Sequence, residues 1–160
     1  MTAPLIRNEE PKDAAQIAAL VERAFGPGRY AKAAERLREG NTAKADLSFV
    51  AETDGRLLGS VRLWPVKVGG AAAIFLGPIA VDSDERGNGV GQELVERACE
   101  AARQAGCAAV LLVGDLPWFE RMGFAVARGV TMPGPVDARR LLIKELQPGA
   151  SETLEGLVTL

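Results

Sequence analysis

Three glycines and an arginine stand directly ahead of the most strongly amphipathic stretch of the chain. The segment Arg86-Gly87-Asn88-Gly89-Val90-Gly91 is followed by the helical sequence QELVERACEAARQ. The first turn of a helix has backbone N–H groups without internal partners, and the helix dipole adds partial positive charge there. Glycine permits positive φ and lets a bulky anion approach those groups. The segment therefore predicts a phosphate-binding loop with Arg86 as a charged donor, and a glycine-rich turn without a ligand is the alternative.

The residue types that are missing limit the chemistry further. Histidine is absent from all 160 residues, which removes the commonest general base and the commonest metal ligand. Hydrolases that depend on a Ser-His or Cys-His pair are excluded, and no metal site is predicted. Cys99 and Cys107 each lie beside apolar residues, and we interpret them as buried thiols.

Charge and hydropathy exclude two classes of partner. The chain has 19 basic and 21 acidic residues, a net charge of -2, which gives no electrostatic case for binding nucleic acid. No apolar run approaches the roughly 18 residues of a membrane span. The N-terminal residues MTAPL lack the basic-then-apolar pattern of a secretory signal. We therefore expect a cytoplasmic protein without a membrane or nucleic-acid partner.

The elements that must position the glycine loop predict one α+β domain over residues 1–160, which is the size of an ordinary domain. In chain order the patterns predict a strand at 5–7, helices from Pro11 and over 30–39, antiparallel strands at 47–53 and 56–64, a turn at 66–70, a buried strand at 71–81, a helix up to Gly106, a buried strand at 107–113, a short helix ending at Gly123 and a strand at 139–146. Pro78 has no N–H for a ladder, so it predicts a bulge in the strand over 71–81.

Two common phosphate-binding patterns fit poorly. The ATP-binding pattern Gly-x4-Gly-Lys-Ser/Thr is absent, and the dinucleotide pattern G-x-G-x-x-G requires a glycine where the chain has Gln92. The predicted antiparallel strands ahead of the loop also argue against a dinucleotide fold.

The glycine loop instead matches R-x-x-G-x-G, the acetyl-CoA diphosphate motif of the GNAT superfamily of N-acetyltransferases. Essentially the whole chain resembles this family: GPIAVDSDERGNGVGQELVERACEAARQAG is similar to its fourth strand, loop and third helix, and CAAVLLVGDLPWFERMGF to its fifth strand and short helix. The later MPGPVDARRLL is similar to a subgroup of small bacterial acetyltransferases with little assigned chemistry. The resemblance implies a mixed, mainly antiparallel central sheet flanked by helices, with splayed fourth and fifth strands.

The resemblance also implies how the cosubstrate acetyl-CoA would bind, without a metal. The diphosphate would be held by backbone amides of Arg86, Gly87, Asn88, Gly89, Val90 and Gly91. The strand edge at Ile79, Ala80 and Val81 would pair with the pantetheine amides as an added strand would. The N–H of Val81 or Ala80 would polarise the thioester carbonyl while the acceptor amine attacks directly.

The groups that move protons are less clearly marked. Without histidine a carboxylate is the remaining conventional base, and Asp115, just past the second buried strand, is the candidate; Glu52 and Glu120 are alternatives. Asp115 also suits an N-cap of the short helix. Many family members have a tyrosine acid where this chain has Phe119. Either the thiolate leaves unaided, or water or Tyr30 supplies the proton, or turnover is inefficient.

The function implied by the resemblance is an acetyl-CoA-dependent N-acetyltransferase whose acceptor is a small amine or a protein amino group. Phe119 motivates the alternative of a non-catalytic or weakly catalytic acyl-CoA-binding or sensor domain. Homodimerisation stays open, because edge strands of this fold often pair.

Overall fold

The computed structural model describes residues 3–26, 33–85 and 87–160. Within them, the strands are β1 Leu5–Asn8, β2 Phe49–Thr53, β3 Arg56–Val68, β4 Ala71–Val81, β5 Ala109–Val113, β6 Ala125–Val126, β7 Val130–Thr131, β8 Leu141–Glu145 and β9 Gly156–Thr159. The α-helices are α1 Ala14–Phe25, α2 Val90–Gln104, α3 Leu116–Phe119 and α4 Ala150–Thr153. None of these helices has the length and apolar content that a bilayer crossing requires.

The strands form a mixed sheet in the order β1-β2-β3-β4-β5-β8-β6, and β9 pairs with β3 and β7. Along that order, β4 and β5 are parallel and the other neighbours are antiparallel. Helix α2 connects the two parallel strands, since a parallel pair requires a crossover rather than a tight turn. The predicted fold class, an α+β sheet that is mainly antiparallel and flanked by helices, is confirmed.

Strands β4 and β5 meet over a short length and then separate. Their pairing consists of Ile74 with Val110 and Phe75 with Leu111. Beyond these two pairs, toward their C-terminal ends, β4 and β5 do not pair with each other among the described residues. The gap between them is the splay that the family resemblance implied, and it opens next to the start of α2.

The predicted bulge lies where the splay begins. On the β3 side, Val61 pairs with Ile79 and Leu63 with Leu76, so two steps along β3 match three along β4. Pro78 lies inside this irregular stretch, which fits its missing N–H. The indole N–H of Trp64 donates to the carbonyl of Gly77 and so holds the bulge in place.

Apolar side chains cover both faces of the sheet. Helix α2 contributes an apolar stripe to one face, with buried Val90, Leu94, Val95, Ala98 and Ala102. Helix α1 packs Ile17, Leu20 and Val21 against Val50, Leu57 and Ala80 in a separate cluster. Since successive strand residues alternate between faces, Ala80 lies under α1 while Ile79 and Val81 lie on the α2 side. Cys99 is buried as predicted, and burial raises its thiol pKa to about 11.

A cluster of charges joins β1 to the start of α1. The Arg7 guanidinium donates to both carboxylate oxygens of Asp13, at 2.8 and 2.9 Å, and to Glu52 at 3.0 Å. The Arg7 hydrogen bonds hold the pKa of Asp13 below its usual value. Because that pKa is lowered, the cluster stabilises the fold at neutral pH and loses this contribution as pH falls through the lowered value.

Two predictions about the elements, the helix over 30–39 and the turn at 66–70, need correction. Residues 33–37 form a 3₁₀ stretch and 38–40 a turn rather than the end of an α-helix, and residues 30–32 lie outside the described part of the chain. Leu37 is the residue of this stretch that is firmly buried, so the segment lacks the apolar stripe that holds an α-helix on a sheet. Strand β3 runs on to Val68, which shortens the predicted turn to Gly69-Gly70.

Candidate active site

The glycine loop has the backbone conformation that requires glycine. Gly87 has φ 88° and Gly89, the N-cap residue of α2, has φ 83°, both in the left-handed region. A Cβ at either position would meet nothing within 4 Å, so the loop faces open space. Among the described residues no side chain caps the helix start, which leaves first-turn N–H groups for another partner. Arg86, the predicted charged donor, lies outside the described residues.

A cavity of about 380 Å³ lies against this loop, and we call it the loop cavity. Its lining comprises Val81, Glu85, Gly87, Gly89, Val90, Gly91, Gln92, Trp118 and Arg121. The Asn88 backbone N–H donates to the Glu85 carbonyl at 3.2 Å, so it is engaged within the turn, unlike the predicted role of holding phosphate. Of the described loop residues, Gly87, Gly89, Val90 and Gly91 line a cavity large enough for a diphosphate.

The direction of successive backbone N–H groups shows which residues of β4 face the gap. The Asp82 N–H donates to the Leu58 carbonyl of β3 at 2.7 Å. Because N–H groups along a strand point alternately to its two sides, the Ala80 N–H also faces β3, where Ala80 pairs with Ser60. The N–H groups of Ile79 and Val81 then face the gap. By this alternation Ile79 and Val81, rather than Ala80, direct their N–H groups away from β3.

A second cavity, of about 460 Å³, occupies the splay itself, and we call it the cleft cavity. Its apolar walls include Phe75, Leu76, Pro78, Ile79, Leu112, Phe119 and Val136, and its polar lining is Arg38, Asp115, Asp137 and Arg140. Ile79 lines the cleft cavity and Val81 the loop cavity, two residues apart on one strand. The two cavities therefore follow the same strand edge from the start of α2 into the gap.

Of the three carboxylates considered as bases, Asp115 is the one that lines the cleft cavity. Its backbone carbonyl accepts N–H bonds from Trp118 and Phe119, as an N-cap residue does, but its side chain makes no capping hydrogen bond. Glu52 is held by Arg7, and Glu120 is exposed on the turn after α3. The exposed Asp115 carboxylate is thus free of structural partners among the described residues.

A second carboxylate in the cleft cavity, Asp137, was missed by the sequence analysis. Its side chain accepts from the Arg139 backbone N–H at 3.0 Å and forms an ion pair with the Arg139 guanidinium at 3.0 Å. The hydrogen bond from the Arg139 side chain, and to a smaller extent the one from its backbone N–H, lower the pKa of Asp137. No local motif marked it, because the loop that carries it reaches the cleft only through the fold.

Phe119 lies where the resemblance placed a tyrosine acid. Its ring is 7% exposed and contacts Trp118 and Phe124 edge to face, with centroids 4.7 and 5.6 Å apart. A Cβ on Gly114 would come within 2.5 Å of this ring, so that glycine makes room for it. Phe119 is an apolar wall of the cleft and offers no proton. Tyr30, another acid considered from the sequence, lies outside the described residues.

The chain is similar in sequence to known proteins. The model of the acetyltransferase (GNAT) family matches residues 14–124. The uncharacterized N-acetyltransferase YhbS of Escherichia coli K12 is 36% identical over 125 residues, which cover 77% of this chain and 74% of YhbS.

Two solved structures of N-acetyltransferases or acetyltransferases are similar to almost the whole chain. The structure of Escherichia coli YhbS in complex with CoA superposes with a TM-score of 0.86 at 32% identity, covering 99% of this chain and 89% of that one. A GNAT family acetyltransferase from Brucella melitensis, in complex with acetyl-CoA, has a TM-score of 0.74 at 30% identity, covering 98% and 95% of the two chains.

Proposed function

This chain belongs to the GNAT family of acetyltransferases, and from that premise we propose how it carries out acetyl-CoA-dependent N-acetyl transfer. The diphosphate of acetyl-CoA lies in the loop cavity against the amides of Gly87, Gly89 and Gly91, and the pantetheine arm follows the gap between β4 and β5. The observation that carries the proposal is the unpaired edge of β4, which leads from a helix start to an apolar cavity.

The order of groups along β4 matches the order along the cofactor. Val81 lines the loop cavity, so its N–H suits a pantetheine amide carbonyl close to the diphosphate. Ile79 lines the cleft cavity, so its N–H suits the thioester carbonyl oxygen. As the acceptor amine attacks, this oxygen gains negative charge that the Ile79 N–H stabilises. The new C–N bond forms as the C–S bond breaks.

The thiolate leaves without a side-chain acid at position 119. Phe119 has no proton to give, and its ring is packed between Trp118 and Phe124. A thiol has an ordinary pKa of about 8.5, so the thiolate is a good leaving group and water suffices to protonate it.

We propose Asp115 as the group that takes the proton of the attacking amine, directly or through a water. The Asp115→Asn variant should lower kcat for thiol release about tenfold at neutral pH. This is less than the roughly hundredfold or more usual for a general base, because water partly replaces an exposed carboxylate. KM for acetyl-CoA should stay unchanged, since Asp115 lies away from the loop cavity. Steady-state kinetics with a thiol reagent measures both constants.

The matched control is Asp137→Asn, which removes the same charge from the same cavity. Asp137 is bound by Arg139, and those bonds keep its pKa low, so it is a poor base. We expect its kcat to stay within about twofold of the native value. Equal losses of kcat in the two variants would contradict the assignment of Asp115.

The function itself is tested by binding and turnover together. Acetyl-CoA at about a hundredfold excess over Kd should raise Tm by about 5 °C or more, as ligand linkage requires. A panel of small amines and peptides with free amino groups should then include an acceptor that releases thiol above the hydrolysis background. No Tm shift would contradict the proposed site, whereas a shift without thiol release on any amine would favour an acyl-CoA-binding domain.

A further inference from the structure

The loop cavity has a second wall that the glycine motif does not describe. Trp118 in α3 and Arg121 in the 3₁₀ turn that follows line the same cavity as the loop. A Cβ on Gly91 would lie 3.6 Å from the Trp118 ring, so the two walls are close together. Among the described lining residues, Arg121 is the one that carries a positive charge.

The position of Arg121 is set by Trp118. The Arg121 Nε donates to the Trp118 carbonyl at 3.3 Å, and its guanidinium carbon lies 5.8 Å from the centre of the Trp118 ring. The indole is itself packed edge to face on Phe119. These contacts hold the guanidinium beside the cavity and leave its terminal N–H groups without a hydrogen bond to another described residue.

The charge of the cavity favours a cation beside a bound diphosphate. Glu85 lines the same cavity and is partly buried, and its carboxylate accepts from the Asn88 side-chain amide at 3.3 Å. A diphosphate that enters adds two negative charges next to this carboxylate. Backbone amides carry partial charge, so a full positive charge opposite them offsets the repulsion.

We propose that Arg121 binds the diphosphate of CoA from the side opposite the glycine loop, with Trp118 holding its guanidinium in place. This inference rests on the proposed function, since it assigns a ligand contact within that site. Arg121 is thus a cofactor-binding residue. The negative charge of Glu85 in the same cavity repels the diphosphate and weakens its binding.

Calorimetric titration with CoA and with dephospho-CoA, which lacks the 3′-phosphate, tests the proposal. Arg121→Gln should weaken the binding of both ligands about tenfold and by the same factor, because both carry the diphosphate. Glu85→Gln should tighten the binding of both, and Arg121→Lys should recover part of the loss. Arg128→Gln, which removes a charge from an exposed arginine outside the loop-cavity lining, should change neither affinity.

Each other outcome overturns the inference. A loss for CoA with none for dephospho-CoA would place Arg121 on the 3′-phosphate, and equal affinities of Arg121→Gln and the native chain would remove it from the site. Absence of CoA binding in the native chain would instead contradict the proposed function, so the two failures are distinguishable.

Discussion

The Gly91→Glu variant should bind CoA more than about a hundredfold more weakly than the native chain while folding at least as stably. Gly91 lies in the first turn of α2 with an ordinary helical φ, and a Cβ there would contact Val81 and Trp118 at 3.5 and 3.6 Å, without overlap. The glutamate side chain would extend into the loop cavity and place a carboxylate where we propose that the diphosphate binds. Replacing a helical glycine by glutamate otherwise favours the helix by roughly 0.5–1 kcal/mol.

Gly91 separates binding from folding better than Gly89 does. Gly89 has φ 83°, so any side chain there strains the backbone and weakens the fold as well as the site. The control for charge is Gln104→Glu, which adds the same carboxylate to the exposed last turn of α2 and should leave CoA affinity unchanged. Calorimetric titration measures affinity, and thermal unfolding without ligand measures stability. Native-like CoA affinity in Gly91→Glu would contradict a diphosphate site at this loop.

The loop geometry that we propose for binding the cofactor was predictable, because it depends on backbone conformation and glycine determines that conformation locally. Alternate glycines ahead of an amphipathic helix predict positive φ and exposed N–H groups, and Gly87 and Gly89 have that geometry. Pro78 likewise marked the bulge from its missing N–H. What local sequence could not predict was which strand N–H groups face the gap, since that depends on the register with β3.

The side-chain part of the site was less predictable for a related reason. Asp137 and Arg121 reach the two cavities from turns that follow β7 and α3, and no spacing in the chain relates them to the glycine loop. Each belongs to a short polar segment of the kind that is usually solvated. Their importance depends on the packing of Trp118 and of the loop over residues 132–137, which is a tertiary property.

The C-terminal tail, residues 147–160, for which the sequence patterns predicted no element, closes one side of the sheet. Strand β9 pairs with the end of β3 and runs parallel to β7, and Val158 is completely buried. Four residues of alternating burial are too short to predict a strand from the sequence. Because β7 leads directly into the loop that carries Asp137, the tail also supports one wall of the cleft cavity.

The Gly69→Ala variant should lower the free energy of unfolding by about 4 kcal/mol, because it separates this tail from the β3–β4 turn. Gly69 has φ 55°, and a Cβ there would overlap the backbone carbonyl oxygen of Glu155. A backbone atom has no rotamer by which to move aside, so β9 must shift. That shift breaks the bond from the Gly69 N–H to the Leu157 carbonyl, now 3.0 Å long, and exposes Val158.

Gly70→Ala supplies the matched control one residue away. Gly70 also has a positive φ, 89°, but a Cβ there would meet nothing within 4 Å, so its cost is backbone strain alone, about 1 kcal/mol. In urea unfolding, the free energies of unfolding of the two variants should differ by about 3 kcal/mol, which is the contribution of the packed tail. In Gly69→Ala the amides of residues 156–159 should also exchange faster with solvent than those of β4. Equal losses of stability in the two variants would show that the close approach of Gly69 to Glu155 does not hold the tail.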